Sequence, residues 1–132
     1  MITVLCNGCF DLLHPGHIEH LEEAAGHGDR LVVALTLDEF VGKGPGRPLI
    51  AWEGRARMLR PLAFVDAVLP SRNGAEAIRQ VHPQVFCKGP DWFGRLPPET
   101  VLACHEVGAV IVCTTAPKMS TTDLIQRIKD LA

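Results

Sequence analysis

The sequence predicts an α/β fold whose strands form a buried parallel sheet. Short apolar runs rich in β-branched residues recur along the chain, and amphipathic helical patterns stand between them. That alternation builds βαβ units, and strands covered on both faces read as unbroken apolar runs. A chain of 132 residues that is 47% hydrophobic can also bury a real core, which excludes a disordered tail.

The elements follow in order. "ITVLC" (2–6) is a strand, and a helix is predicted over 16–27. In that helix Ile18, Leu21 and Ala25 share one face, while Glu19, Glu22 and Glu23 are mostly outward. "RLVVALT" (30–36), "DAVLP" (66–70), "QVFCK" (84–88) and "AVIVCT" (109–114) are the remaining strands. Helical patterns cover 51–62, 74–81, 98–107 and 120–131, the last capped by Ser120 or Thr121. No repeat, low-complexity segment or linker interrupts the chain, so residues 1–132 read as one domain. The loops "GKGPGRP" (42–48) and "KGPDWFGRLPP" (88–98) are rich in Gly and Pro, and such loops tend to carry function.

Charge and cysteine usage narrow the function classes. A formal charge of −2 makes no electrostatic case for nucleic acid or an anionic membrane as the main partner. Met1 leads directly into the first strand with no basic or cleavable leader and no long apolar run, so the cytoplasm is the expected compartment. The five cysteines are odd in number and mostly lie in or beside apolar runs, which favours reduced core thiols. Cys6 and Cys9 followed by His14 and His17 are spaced too closely for a zinc finger, and no protein metal site is expected.

In a parallel sheet, ligands bind beyond the carboxyl ends of the strands. Those ends carry Asn7–Asp11, Thr36–Asp38, Lys88–Asp91 and Thr114–Thr121. His14 and His17 flank a Pro-Gly pair where a strand gives way to a helix. One histidine there would be a cap or a surface residue; two, after "GCFD", fit donors to a phosphate. The free N–H groups and dipole of the first helical turn favour the same anion. Gly16 lets a ligand approach the backbone. Lys43 and Arg47 in the Gly-rich loop could be solvated, or could bring cations to a triphosphate. Ser120 and Thr121 are explained as caps, and would equally face a second anion. "KGPDW", with Lys88 and Asp91, reads as a turn under an aromatic cover or as a base or sugar pocket.

Together these residues resemble the cytidylyltransferase-like nucleotidylyltransferases, whose mark is G-x-F-D-x-x-H-x-G-H. Here it reads Gly8-Cys9-Phe10-Asp11-Leu12-Leu13-His14-Pro15-Gly16-His17. The likeness runs nearly end to end, through "GDRLVVALTLDEF" (28–40), the Lys43 loop, Glu53 and Arg55, "FVDAVLP" (64–70), "KGPDW" and "STT" (120–122). Within the family the chain looks like the glycerol-3-phosphate cytidylyltransferases and the adenylyltransferase domains that make ADP-heptose.

The resemblance implies a Rossmann-like three-layer αβα fold with a five-stranded parallel sheet. It implies direct transfer of a nucleoside monophosphate to a small phosphorylated alcohol or sugar, with pyrophosphate leaving and Mg²⁺ as cofactor. His14, His17 and Lys43 are then catalytic. Backbone at Gly8, Cys9 and Phe10, with Gly16, Lys88, Asp91, Ser120 and Thr121, would bind nucleotide. Asp11, Asp38, Arg55 and Lys118 are further candidates, Asp11 for holding the motif loop or a metal-bound water. A homodimer is expected by the same resemblance, and the product would serve surface polysaccharide.

Whole-chain likeness and length favour CTP. Ala63, where cytidylyltransferases tend to carry Arg, and Lys88 in a Lys-Gly-x-Asp run favour ATP. The rival of another class is a silent nucleotide-binding module, against which His14, His17 and Lys43 argue.

Overall fold

The computed structural model describes residues 1–116 and 119–132. Its strands are β1 (Thr3–Gly8), β2 (Arg30–Thr36), β3 (Ala67–Ser71), β4 (Val85–Lys88) and β5 (Val110–Cys113). Its helices are α1 (Pro15–Ala25), α2 (Trp52–Leu59), α3 (Gly74–Val81), α4 (Pro98–Val107) and α5 (Thr121–Asp130). Short 3₁₀ turns lie at Asp38–Phe40 and Pro90–Trp92.

All five strands are parallel in one sheet, in the order β3-β2-β1-β4-β5. The chain therefore steps outward from β1 to β3 and then crosses back to β4. The reversal puts the topological switch point between β1 and β4, where open α/β sheets bind ligands. Alternate strand residues feed opposite faces. Val4, Cys6, Leu31, Val33 and Leu35 pack with Leu21 and Ala24 of α1 and Ala56 and Leu59 of α2. Leu5, Val32, Ala34 and Phe86 pack with Ala75, Ala77 and Ile78 of α3 and Ala103 and Cys104 of α4. Helices on both faces give the expected αβα layering.

Boundaries differ from the sequence reading for local reasons. β1 runs on through Asn7 and Gly8, because these pair with Ala34 and Leu35 of β2. α2 stops at Leu59, just ahead of Pro61, which has no N–H to extend it. Ser120, not Thr121, caps α5: its hydroxyl accepts from Asp123 N at 3.3 Å. Pro70 lies in edge strand β3, where a missing ladder donor is tolerated. All five cysteines are free, and Cys6 and Cys87 are buried register partners on β1 and β4. Among the described residues no helix is long and apolar enough to cross a membrane.

Candidate active site

A cavity of about 640 Å³ opens at the carboxyl ends of the strands. Asn7–Phe10 at and beyond the end of β1 line it, with His14 at the N-cap of α1 and Gly16, His17 and His20 in that helix. Lys88, Gly89, Asp91 and Trp92 form the wall beyond β4, and Arg72–Ala75, at the start of α3, form the wall beyond β3. A smaller cavity of about 460 Å³ is lined by Lys43, Arg47 and Ser120–Thr122. His14, His17, Lys43 and Met119 line both spaces, so the histidines stand where the two meet.

The histidines are held by one another's backbone. His14 is the N-cap of α1, and its Nδ1 accepts from His17 N at 3.3 Å. His17 is the third helical residue, and its Nδ1 accepts from His14 N, also at 3.3 Å. This is a capping box in which both members are imidazoles. The rings stack with centroids 3.7 Å apart. A ring nitrogen that accepts an N–H carries no proton, so in each neutral ring the proton is on Nε2. The cap thereby turns two imidazoles into oriented N–H donors beside a helix N-terminus.

Their charge state follows from the same packing. Burial pushes the His17 imidazole down to about 3, the neighbouring His14 and Lys43 add to this, and the Leu12 carbonyl opposes it. Burial also lowers His14, against a backbone hydrogen bond. Neutral rings are the folded form. An unfolded chain takes up a proton near the ordinary imidazole value of 6.5, which the unliganded fold refuses until far lower pH. Stability is therefore lost progressively as pH falls from about 6.5 toward 3. His17→Gln keeps a side chain able to complete the cap but removes this titration. The drop in Tm between pH 7.5 and pH 5 is expected to be smaller in that variant than in the wild type. An equal drop in both would show that His17 is not the group responsible.

The turn into α1 is tightly built. A Cβ on Gly16 would lie 3.0 Å from the His14 ring and 3.1 Å from Met119 Cβ. One on Gly8 would lie 3.0 Å from the Phe10 ring. Phe10 itself adopts the left-handed region, φ 48°, and is buried, which folds the Cys9–Phe10 backbone along the cavity.

Three charged candidates lie behind the cavity instead of in it. The buried carboxylate of Asp11 accepts from Leu49 N at 2.7 Å, Ile50 N at 3.1 Å and Arg47 Nε at 3.3 Å. Its lone pairs are committed to Arg47 and to the Leu49–Ile50 backbone, so Asp11 ties the motif turn to the segment that follows the Gly-rich loop. Arg55 is 1% exposed. It donates to the carbonyls of Ile50, Cys9 and Thr36 at 2.8–2.9 Å and to Asp38 at 2.6 Å. Arg55 and Asp38 thus tie α2 to the backbone beneath the site, and neither lines either cavity. Lys118 lies outside the described residues.

Lys88 at the end of β4 reaches across the switch point and donates to Asn7 O at 2.8 Å. Its ammonium sits 4.6 Å from the Trp92 ring centroid. Burial lowers its pKa, while the Cys6 and Cys9 thiols and Asp91 oppose that shift. Ser120 and Thr121 face the smaller cavity, and Thr121 also donates to Leu12 O at 3.3 Å, joining α5 to the histidine turn.

The sequence reading missed His20, which lines the main cavity, and the wall at Arg72–Ala75. The three-residue step from His17 to His20 was the available signal for the first. For the second it was Asn73, whose side chain accepts from Glu76 N and caps α3.

Comparison with known proteins gives a consistent result. Bifunctional protein HldE of Haemophilus ducreyi is 39% identical over 96% of this chain and 27% of its own length. HldE of Chromohalobacter salexigens is 42% identical over 97% of this chain and 28% of its own length. The chain thus spans about a quarter of the length of these relatives. Among solved structures, the lipopolysaccharide core biosynthesis protein of Thermoplasma volcanium superposes with a TM-score of 0.74 at 27% identity, covering 89% of this chain and 99% of that one. Pantoate-beta-alanine ligase of Francisella tularensis shares the fold alone, with a TM-score of 0.58 at 14% identity over 97% of this chain and 69% of its own. Residues 5–127, from the first strand into the last helix, match the Cytidylyltransferase-like family model. With the motif histidines at the mouth of a Rossmann-like sheet, this chain belongs to the cytidylyltransferase-like family of nucleotidylyltransferases.

Proposed function

We propose that this domain transfers an adenylyl group from ATP to the phosphate of a phosphorylated sugar and releases pyrophosphate. The observation that carries the reaction is the reciprocal histidine cap, which presents two neutral Nε2–H donors between two cavities. The choice of substrates follows the relatives, which fit the ADP-heptose type better than the glycerol-3-phosphate type that chain length suggested.

An oxygen of the sugar phosphate attacks the α-phosphorus, the bond to the β-phosphate bridging oxygen breaks, and no covalent enzyme intermediate forms. His14 and His17 donate to the α-phosphate oxygens, where charge changes most in the transition state. Lys43, Ser120, Thr121 and the N-terminus of α5 hold the β- and γ-phosphates in the smaller cavity. Gly8–Phe10, Lys88 and Asp91 receive the nucleoside, and Arg72–Ala75 face the acceptor.

Among the described residues no group of three carboxylates, histidines or cysteines could hold a metal ion. Mg²⁺, which the family resemblance implies, would be carried on the nucleotide's own phosphates and would offset triphosphate charge there.

Pyrophosphate release tests the reading. ATP with aldose phosphates, heptose phosphate included, is expected to exceed CTP with glycerol 3-phosphate by about tenfold or more in kcat/KM. The reverse order would reinstate the cytidylyl reading. No release with any pair would support a silent nucleotide-binding module.

A further inference from the structure

We propose that His20 contacts the nucleobase and sets which base the domain accepts, an inference that rests on the nucleotidyl-transfer reading above. His20 lines the same cavity as His14 and His17, and the three lie at three-residue steps on one face of α1. Its Nδ1 is 2.5 Å from the hydroxyl of Thr114, just past β5, and that hydroxyl is 3.4 Å from Lys88 O. Thr114 is buried, so the ring is held from behind. Whichever of the two atoms donates, Nδ1 is consumed and Nε2 is the nitrogen left for a ligand.

Position and charge indicate which part of the ligand that is. The phosphates have their donors at the junction of the two cavities. His20 is three residues beyond His17 along α1, about 4.5 Å by helical rise, on the side of β4 and β5. The charged groups around it are Lys88, Glu23 and Asp91. Burial and then Lys88 keep the ring uncharged, against Glu23 and Asp91. His14 and His17 are neutral as well, so what separates His20 from them is its place away from the phosphate junction, with Nδ1 held by Thr114 on the β4–β5 side. Asp91 on the same wall is an acceptor suited to ribose hydroxyls, and Trp92 beside it offers a flat face. That leaves the base edge for His20. A site nitrogen left unpaired by the wrong base discriminates by about tenfold or more.

The test measures binding of ATP, CTP, GTP, UTP and inorganic tripolyphosphate by calorimetry, with Mg²⁺ and without acceptor. His20→Leu is expected to weaken the preferred nucleotide about tenfold or more and to narrow the spread of Kd among the four. Tripolyphosphate binding should stay within about twofold, since it has no base. Thr114→Val, which leaves the imidazole in place but unanchored, should shift selectivity in the same direction and less far. An unchanged spread in both variants would overturn the proposal. So would a parallel loss of tripolyphosphate binding, which would place His20 with the phosphates, or a wild type that binds all four nucleotides alike. A wild type that binds one nucleotide selectively yet releases no pyrophosphate would overturn the reaction and leave the His20 assignment standing.

Discussion

His14→Asn and His17→Gln each lower the rate of nucleotidyl transfer by about 10²–10³, while the protein stays folded. The choice of variant matters because both residues also hold the helix. Alanine would remove the donor and the cap together, and losing an N-cap costs about 1 kcal/mol by itself. Asparagine is a good N-cap, and glutamine at the third position can still reach back to the cap N–H. Neither places a donor where the imidazole Nε2–H stands. Single-turnover rates with saturating substrates read the chemistry, and melting curves report the fold. Turnover within tenfold of wild type in either folded variant would remove that histidine from the transition state.

The second large effect falls on stability. Arg55→Met keeps much of the side-chain volume and deletes four hydrogen bonds at one buried point. The carbonyls of Cys9, Thr36 and Ile50 lose a charged donor in a place that water does not reach easily. Asp38 is half exposed and can be solvated, so its loss counts for less. Unpaired buried groups of this kind cost about 3 kcal/mol or more in sum. For a chain of this length that is roughly a 10 °C fall in Tm. A fall under about 2 °C would mean that the loops find other partners.

The layering was legible in the sequence because apolar runs and amphipathic segments alternate without exception. The distribution of strand residues between faces was not. Val4, Leu5 and Cys6 are all apolar, and only the helices above and below separate them into two cores. His14 and His17 were legible from their frame, yet nothing in their spacing showed that each would lock the other's tautomer. Asp38 and Arg55 were read as site candidates because they are charged and near the motif, and Asp11 as holding the motif loop or a metal-bound water. The structure uses them to tie backbone down, a role set by contacts with Leu49, Ile50 and Thr36 that no local pattern encodes. His20 escaped because half of its environment, Thr114, lies 94 residues away.

The central position of β1 has a consequence for the chain as it leaves the ribosome. By Ser71 the polypeptide holds β1, β2 and β3 with α1 and α2, which cover one face only. Leu5, Val32 and Ala34 on the other face wait for α3 and α4, and the free edge of β1 waits for Val85–Cys87. At about 5–20 residues per second that half-built sheet stays sticky for several seconds. It has an apolar side and an unpaired strand edge, the two features that invite aggregation. A fragment ending at Ser71 is accordingly expected to be digested throughout by a dilute protease, whereas the full chain is cut at its loops. Resistance of that fragment's strands would show that the first half folds alone. The same ordering means that the cleft is assembled only in the second half of synthesis, since Lys88 reaches Asn7 across the β1–β4 junction.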